Sequence, residues 1–343
     1  MQIDLFIIGI DRIDLEIEGQ LLLKSLQCYN RHNQETMSNS ETRVSRDYWN
    51  RACFNPGDVV GHYESYFQRA NHPQRPLAFW IRYTIFSPQG QSEEAIGELW
   101  AVYFDGERGR IVAAKQVFPI QQCNFSRTGL DVRIGEATLV DEALQGQASS
   151  GKHALGWLLE YSDNQAPLLL LPESFYDRSF PKAKAMVGSP GAIFHGMLSV
   201  DGQEISIDGW IGSQNHNWGS KHTDLYAWGQ VAGFENEPEA FLELSTARVK
   251  IGSLWLPWMT LIVLRLDGEE YSLNGILQAV RAFGRFDYGK GKISSWLFDS
   301  RIEGVRIQGK ITASSSSFVG LRYNNPPGGH KICLNTKLAL RQS

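Results

Sequence analysis

The side chains best suited to chemistry are concentrated in one short stretch, residues 209–230, which reads GWIGSQNHNWGSKHTDLYAWGQ. Because imidazole changes its charge near neutral pH, His216 could act as an acid, a base or a hydrogen-bond donor. A structural role is equally compatible with the sequence. Asn215 and Asn217 can satisfy the backbone groups of a turn, and Trp218 can close the end of a barrel. Both interpretations stay open at this point.

A metal site is a second interpretation of the same stretch, since imidazole and carboxylate ligands at His216, His222 and Asp224 would suit zinc or iron. Nothing in their spacing places them on one face, so we expect no metal. Two stretches, 146–153 and 284–291, have the GxxxxGK spacing of a phosphate-binding loop but lack the Ser or Thr that would hold magnesium. The sequence predicts no cofactor.

The elements that must position these residues are β-strands. The stretch PLAFWIRYTIFSP, 76–88, has apolar residues on both alternating faces, which indicates a strand with the core on one side and a lined cavity or a second layer on the other. Helical periodicity is scarce, and 275–286 fits a short helix or a strand equally well. Asp-Gly dipeptides between alternating runs predict hairpins at 105–106, 201–202 and 267–268.

Composition agrees with a soluble, mostly β protein. The 343 residues include 33 Gly, 10 Trp, 12 Tyr and 17 Phe, and only 20% are charged. The net charge is −4 with scattered Lys and Arg, which argues against binding to nucleic acid or to an anionic membrane, although a peripheral membrane contact for substrate access stays open. Four distant cysteines and the lack of a signal peptide or an apolar spanning segment favour the cytoplasm.

Three regions divide the chain. Residues 1–51 form an N-terminal extension, and a polar stretch after Met37 suggests that translation begins there and that the first 36 residues are loosely attached; an edge strand or helix of the fold is the alternative. Two β modules with similar hairpins follow, and we expect them to span 52–220 and 221–343. The sequence does not indicate the oligomeric state.

The segment 181–234 resembles the two-domain lipocalin-like family of hydroxyneurosporene synthase (carotenoid hydratase), tocopherol cyclase and the AttH-like proteins. The resemblance rests on HNWG at 216–219 followed by YAWGQ at 226–230, with support from GHYESYFQRANHP at 61–73 and NNPPGGHKICLNTKLA at 324–339. It implies an all-β fold of two tandem lipocalin-like antiparallel β-barrel or sandwich domains. An apolar ligand would bind within one barrel or where the two meet.

The resemblance also implies an activity. Known members hydrate or cyclise apolar isoprenoid or polyene-like small molecules without a redox cofactor, so this chain is expected to be a hydratase, cyclase or isomerase. Such a pocket has aromatic walls and a few polar groups that orient the ligand. The residues expected to contact the substrate are Trp210, Gln214, Asn217, Trp218, Tyr226, Trp228, Gln230 and Tyr66.

Hydration of an alkene needs a carboxylic acid that stays neutral until it reacts, and a π-rich wall that stabilises the cation. The family tract has Asp before its histidine, whereas this chain has Asn215. Glu64, which shares a strand face with His62 and Tyr66, is therefore the first candidate acid, beside His216 and Asn215 as the other candidate catalytic residues. A carboxylate at the barrel rim, paired with Arg69 or Arg82, is the alternative for Glu64. Asp208 and Glu243 are weaker candidates.

Two further functions stay open. The protein could carry a hydrophobic ligand without chemistry, or it could be a scaffold with filled barrels. A buried acid that touches the cavity would support the enzyme, and a cavity lined only by aromatic, amide and backbone groups would support the carrier.

Overall fold

The structure is a computed structural model that describes residues 46–234, 237–287, 293–302 and 304–338. It also describes the backbone of two strands near the start of the chain, β1 (Leu5–Ile10) and β2 (Glu16–Ile17). Met37 and most of the predicted extension lie outside the described residues.

The first module is one sheet of twelve strands, all joined by antiparallel pairs. Its order is β6-β5-β4-β3-β14-β13-β11-β10-β9-β8-β7, with β12 on β13, and β6 packs against β10 and β11 so that the sheet curls into a nearly closed barrel. The strands are β3 (His62–Asn71), β4 (Leu77–Ser87), β5 (Ile96–Asp105), β6 (Arg110–Pro119), β7 (Cys123–Phe125), β8 (Asp131–Ile134), β9 (Ala137–Val140), β10 (Ala143–Ser150), β11 (His153–Ser162), β12 (Leu168–Leu169), β13 (Ala183–Val200) and β14 (Gln203–Gly219).

The second module packs a seven-stranded sheet, β20-β19-β16-β15-β1-β25-β24, against a four-stranded sheet, β2-β23-β22-β21. In the first of these, β1 lies parallel between β15 and β25. The strands are β15 (Leu225–Phe234), β16 (Glu237–Arg248), β17 (Lys250–Ile251), β18 (Leu254–Trp255), β19 (Met259–Leu266), β20 (Glu269–Leu273), β21 (Phe283–Asp287), β22 (Ile293–Ile302), β23 (Val305–Ser314), β24 (Val319–Asn324) and β25 (His330–Thr336).

Helical structure is short. Residues 46–50 are helical, and a second α-helix spans Ile276–Arg281. The 3₁₀ turns are Ser92–Glu94, Ile120–Gln122, Glu173–Phe175 and Ser315–Ser317. The stretch 275–286, for which helix and strand were both open, contains the helix and then β21.

Side chains fill the interior of the first barrel. Alternate residues of β4, including Phe79, Ile81 and Tyr83, point inward and pack with Trp157 and Trp210. The middle of the first barrel is therefore packed. A polar recess of about 290 Å³ lies at one end of this barrel, next to Trp210, and a more apolar cavity lies between the modules.

The opposite face of β4 joins the two modules. Ala78 and Trp80 pack with Trp100 of β5 and, from the second module, with Leu321 and Tyr323 of β24. The apolar residues on both faces of this strand thus mark a second layer. The all-β fold of two lipocalin-like modules is confirmed.

The predicted hairpins form. Asp201 and Gly202 both have positive φ (51° and 84°) and join β13 to β14 in the two-residue turn that Asp-Gly favours, and Asp267 and Gly268 do the same between β19 and β20. Asp105 instead ends β5 and begins a longer turn to β6.

Three cysteines of the described residues, Cys53, Cys123 and Cys333, have free thiols. None of the described helices is long and apolar enough to cross a membrane.

Gly212 lies where β14 packs closely against the backbone of β3, so a substitution there tests this pairing. A methyl group at this position would overlap the Arg69 carbonyl oxygen on the neighbouring strand, so the backbone of β3 would have to move. We expect Gly212→Ala to lower the free energy of unfolding by about 2 kcal/mol, measured by urea denaturation. Gly156→Ala in β11 is the matched control, because its new methyl group would meet Ser199 at an ordinary 3.7 Å. Equal stability of both variants would contradict the observed pairing.

Candidate functional site

A cavity of about 330 Å³ lies between the two modules. Most of its wall is apolar and comes from strands of both modules, from the segment before β13, and from the helix Ile276–Arg281. The residues that form the wall include Tyr63, Phe67, Leu170, Leu171, Pro172, Phe175, Phe180, Met186, Asn215, His216, Asn217, Tyr226, Trp228, Glu243, Ser245, Leu256, Pro257, Met259, Leu261, Ile276 and Val280. A compact apolar molecule is the ligand that such a wall fits best.

Six of the residues named from the sequence line this cavity: Asn215, His216, Asn217, Tyr226, Trp228 and Glu243. The first five reach it because β14 and β15 follow one another across the interface between the modules. Of the named carboxylates, Glu243 lines the cavity and Glu64 does not.

His216 is enclosed by aromatic rings and held by two acceptors. Its ring stacks between Tyr66, with centroids 4.3 Å apart, and Trp218, with centroids 4.4 Å apart. Nδ1 lies 2.9 Å from the Trp49 carbonyl oxygen, and Nε2 lies 2.8 Å from Glu64 Oε1. Both ring nitrogens are therefore engaged by oxygen atoms of the protein. These contacts favour a positioning role for His216, and its expected role in proton transfer stays a prediction.

Glu64 is fully buried and accepts five hydrogen bonds. Its donors are the backbone N–H groups of Cys53 and Phe54, the Tyr66 hydroxyl, and the His62 and His216 rings, at 2.7–3.0 Å. Burial alone would raise the pKa of Glu64, but the hydrogen bonds from His216 and His62 outweigh it and hold this pKa well below its usual range. Glu64 is thus a carboxylate and not the neutral acid that hydration needs.

The alternative for Glu64, a rim carboxylate paired with an arginine, is also wrong. Arg69 and Arg82 lie on the other face of the sheet, where Arg69 binds Gln230 and Arg82 binds Ser65. No contact shorter than 4 Å joins either guanidinium to Glu64 among the described residues.

Residues 46–54, which we call the barrel plug, contact both His216 and Glu64. The plug supplies the Trp49 carbonyl to His216 and two N–H groups to Glu64. Asn50 and Gln214 exchange two hydrogen bonds of 3.0 Å. Gln214, predicted to contact substrate, instead holds the plug in place, and Tyr66 and Trp218 support His216 from either side.

Trp210 was also predicted to contact substrate. Its side chain belongs to the filled core of the first barrel, next to Phe79, with the two ring centroids 6.0 Å apart, and it does not line the cavity between the modules.

A buried polar network borders the cavity on the other face of β14. Gln230 accepts hydrogen bonds from Arg69 Nε (3.1 Å) and Ser213 Oγ (2.9 Å), and it donates one to Asn215 Oδ1 (2.5 Å). The Asn215 amide group in turn donates to the Phe67 and Ser213 carbonyl oxygens, each at 3.3 Å. Asn215 therefore supplies both a donor and an acceptor to the network, and it has no proton to give as an acid.

Glu243 is the acid in the cavity. It is fully buried on β16, opposite Gln230, and its Oε1 accepts a 2.7 Å hydrogen bond from Trp228 Nε1. Its Oε2 has no hydrogen-bond partner among the described residues. Burial raises the pKa of Glu243 to about 8, and the Gln230 amide, the Trp228 indole and the Arg69 charge offset only part of that effect. Glu243 is therefore largely protonated at pH 7.

Only a weak signal in the sequence pointed to Glu243, which ranked below Glu64. It is the only charged side chain of 240–247, AFLELSTA, in which its two neighbours, Leu242 and Leu244, are fully buried. Asp208, the other weak candidate, is exposed and pairs with His195. Asn217 Oδ1 is a second buried oxygen of the cavity wall without a hydrogen-bond partner in the described part of the chain.

His216, His222 and Asp224, considered above as metal ligands, each contact different groups of the protein. His222 stacks on Tyr63 at 3.9 Å and contacts the Asn324 carbonyl oxygen through Nε2 at 3.0 Å. Asp224 accepts a hydrogen bond from Lys221, far from the partners of His216. Within the described ranges, no three His, Cys, Asp or Glu residues are grouped as metal ligands.

Comparison with known proteins gives the following relatives. The chain is 26% identical over 281 residues to uncharacterized proteins of two Mycobacterium tuberculosis strains, which covers 82% of this chain and 80% of theirs. An AttH-like protein of Nitrosomonas europaea has a similar structure, with a TM-score of 0.50 at 12% identity over 77% of this chain and 99% of that one. Kievitone hydratase of Nectria haematococca gives 0.43 at 12% identity, covering 76% and 90%. No family model matches. The AttH-like structure supports the fold and leaves the activity open.

Glu64 should stabilise the fold strongly. In Glu64→Gln, an amide N–H₂ group would face hydrogen-bond donors at a place where a carboxylate oxygen now accepts their hydrogen bonds. We therefore expect the free energy of unfolding to fall by about 3 kcal/mol or more. Glu239→Gln, at an exposed position on β16, is the control and should have almost no effect. Urea denaturation at pH 7 measures both, and equal values would contradict the five hydrogen bonds.

The stabilising effect of Glu64 should also depend on pH. Because the folded-state pKa of Glu64 lies below its unfolded value of about 4.3, its contribution to stability is fully present above that pH and is lost as the pH falls through it towards the folded value. The difference in unfolding free energy between the wild type and Glu64→Gln should therefore shrink as the pH is lowered below about 4. A constant difference down to the lowest pH at which the protein folds would mean that the carboxylate is not the stabilising form.

Proposed function

We propose that this protein is a cofactor-independent hydratase, cyclase or isomerase of an apolar isoprenoid or polyene-like small molecule, with Glu243 as its general acid. The observation that supports it most directly is the fully buried Glu243 carboxyl group in the wall of an apolar cavity, one oxygen of which has no hydrogen-bond partner among the described residues. Catalytic acids are most effective when their pKa lies close to the working pH, and Glu243 meets that condition.

The chemistry needs one proton and returns it. The Glu243 carboxyl proton adds to one carbon of a substrate double bond, and the π electrons form the new C–H bond, which leaves a cation on the substrate and a carboxylate on Glu243. Attack by another double bond of the same chain gives cyclisation, and loss of a proton gives isomerisation. Attack by water gives hydration. In each case the proton that leaves returns to the Glu243 carboxylate, so that the enzyme is regenerated.

Aromatic groups would stabilise the cation. Trp228, Tyr226, Phe67 and Tyr63 line the cavity, and a cation over such rings gains stabilisation that increases when water is excluded. Trp228 has a second effect, because its indole N–H fixes one oxygen of Glu243 and leaves Oε2 for the substrate.

Polar residues around the acid would position it and the ligand. Asn217 Oδ1 can accept a hydrogen bond from a hydroxyl group of the substrate or from the attacking water. Gln230 connects Glu243 to the buried charge of Arg69, which limits how far the pKa of the acid rises. His216 lines the cavity but is hydrogen-bonded to Glu64, and the two residues would hold β3, β14 and the barrel plug together at the cavity wall.

Replacement of the acid by an amide should abolish the reaction and leave binding intact. Glu243→Gln keeps the acceptor for Trp228 and removes the proton, so we expect turnover to fall at least ~100-fold. The assay incubates the protein in D₂O with a lipophilic extract of its source cells and follows carbon-bound deuterium in the products by mass spectrometry, because the acid proton exchanges with solvent. Binding of N-phenyl-1-naphthylamine, followed by its fluorescence, should change less than threefold.

Glu239→Gln, on the same strand but exposed, is the control and should retain full turnover. Turnover that survives in Glu243→Gln would remove Glu243 from the mechanism. Probe binding to the wild type without any deuterium transfer would instead favour the carrier of a hydrophobic ligand.

The pH profile follows from the protonation of Glu243. The reactive form is the protonated acid, and the folded-state pKa is about 8, so turnover should be constant below that pH and fall about tenfold per pH unit above it. Isotope-edited infrared spectroscopy should show a protonated carboxylic acid band at pH 7 that disappears above pH ~9 and is absent in Glu243→Gln. A rate that rises with pH would indicate a carboxylate base.

A further inference from the structure

Exposed apolar side chains surround the opening of the cavity. Phe180, Ile276 and Val280 line the cavity and are also exposed to solvent. Leu277 on the same helix is 72% exposed, and Leu254 on the neighbouring hairpin is 66% exposed. Large apolar residues at such exposure are ordinary when scattered, but a group of them around one opening marks a surface of interaction.

Three elements present these side chains, and together we call them the mouth patch. They are the loop that contains Phe180, the hairpin of β17 and β18, and the helix Ile276–Arg281. Leu256 and Pro257, directly after the hairpin, line the cavity together with the helix, so these elements meet at its opening. The exposed apolar members are Phe180, Ile251, Leu254, Trp258, Ile276, Leu277 and Val280.

Basic side chains lie among the apolar ones. Lys250 is exposed on the hairpin and lies 5.7 Å from the Trp255 ring, and Arg281 is exposed at the end of the helix. Arg178 and Lys182 are exposed on either side of Phe180. None of these four forms an ion pair within 4 Å in the part of the chain that the structure describes. The carboxylates on the same elements are Glu173 and Asp177, so the mouth patch has an excess of positive charge.

We propose that the mouth patch docks on the surface of a bilayer that contains anionic lipid, and that the apolar ligand passes from the bilayer into the cavity. This inference rests on the proposed function only in that the ligand is apolar. Protruding aliphatic side chains enter the boundary between headgroups and acyl chains, Trp258 is suited to that boundary, and unpaired cations bind anionic headgroups. A second copy of the chain fits less well, because two equally basic faces would repel each other.

The sequence left a peripheral membrane contact open but did not locate its surface. Its cations are scattered along the chain and the net charge is −4, which argued against an anionic membrane. In the fold, Phe180, Val249 and Val280, which are sequence neighbours of the four basic residues of the mouth patch, line one cavity although they lie far apart in the chain.

The test measures sedimentation of the intact protein with phosphatidylcholine vesicles, with and without phosphatidylglycerol. We expect binding to the anionic vesicles that weakens with salt, and a loss of at least ~10-fold in partitioning for Leu254→Ser/Leu277→Ser. Val59→Ser/Leu158→Ser, which removes two similarly exposed side chains away from the mouth, is the matched control and should bind as the wild type does. Lys250→Glu/Arg281→Glu should lose the preference for anionic lipid.

Neither Leu254 nor Leu277 lines the cavity, so the double variant should bind soluble N-phenyl-1-naphthylamine as the wild type does. Its uptake of the same probe from vesicles should be slower than that of the wild type. No vesicle binding by the wild type, or equal binding by the patch and control variants, would overturn the proposal. Self-association through the patch, seen as a concentration-dependent sedimentation coefficient that Leu254→Ser/Leu277→Ser abolishes, would also overturn it. Failure of the proposed function would appear separately, as absent probe binding or absent deuterium transfer in solution.

Discussion

The alternation of side chains along β14 is the constraint on which the candidate site depends. This strand pairs with β13 on one side and β3 on the other, so its register is fixed and successive residues point to opposite faces. His216 points towards the end of the first barrel, where the barrel plug binds it. Asn215 and Asn217 point towards the second module and the cavity. One short tract thus serves two environments.

Two buried glutamates show how the surroundings of a carboxyl group decide its state. Glu64 and Glu243 are both excluded from solvent, which by itself favours the neutral form of each. Five donors surround Glu64, and the benefit of binding them as an anion exceeds the cost of burial. At Glu243 the Trp228 indole and the Gln230 amide offset only part of the effect of burial, and Oε2 has no hydrogen-bond partner in the described part of the chain, so burial prevails. We therefore expect the first glutamate to stabilise the fold, and the second is the proton donor that we propose.

The sequence was sufficient to predict the fold class and to identify several residues of the tract 209–230 that line the cavity. Alternation and Asp-Gly dipeptides depend on local geometry, so the hairpins at 201–202 and 267–268 could be predicted directly. The state of Glu64 could not, because two of its donors come from the barrel plug, whose position depends on tertiary contacts. Alternation also divides β14 into two faces without indicating which one meets the cavity.

The identity of residue 215 bears on where an acid can be placed. The Asn215 amide donates to the carbonyl oxygens of Phe67 and Ser213. A carboxylate there would face those two oxygens without a donor, and would be repelled unless it were protonated. Gln230 on β15 donates a hydrogen bond to Asn215 and lies opposite Glu243 on β16. Asn215 and Glu243 therefore border the same cavity. In the mechanism proposed above, the reaction depends on a neutral carboxyl group in contact with this apolar space, and the HNWG tract need not supply it.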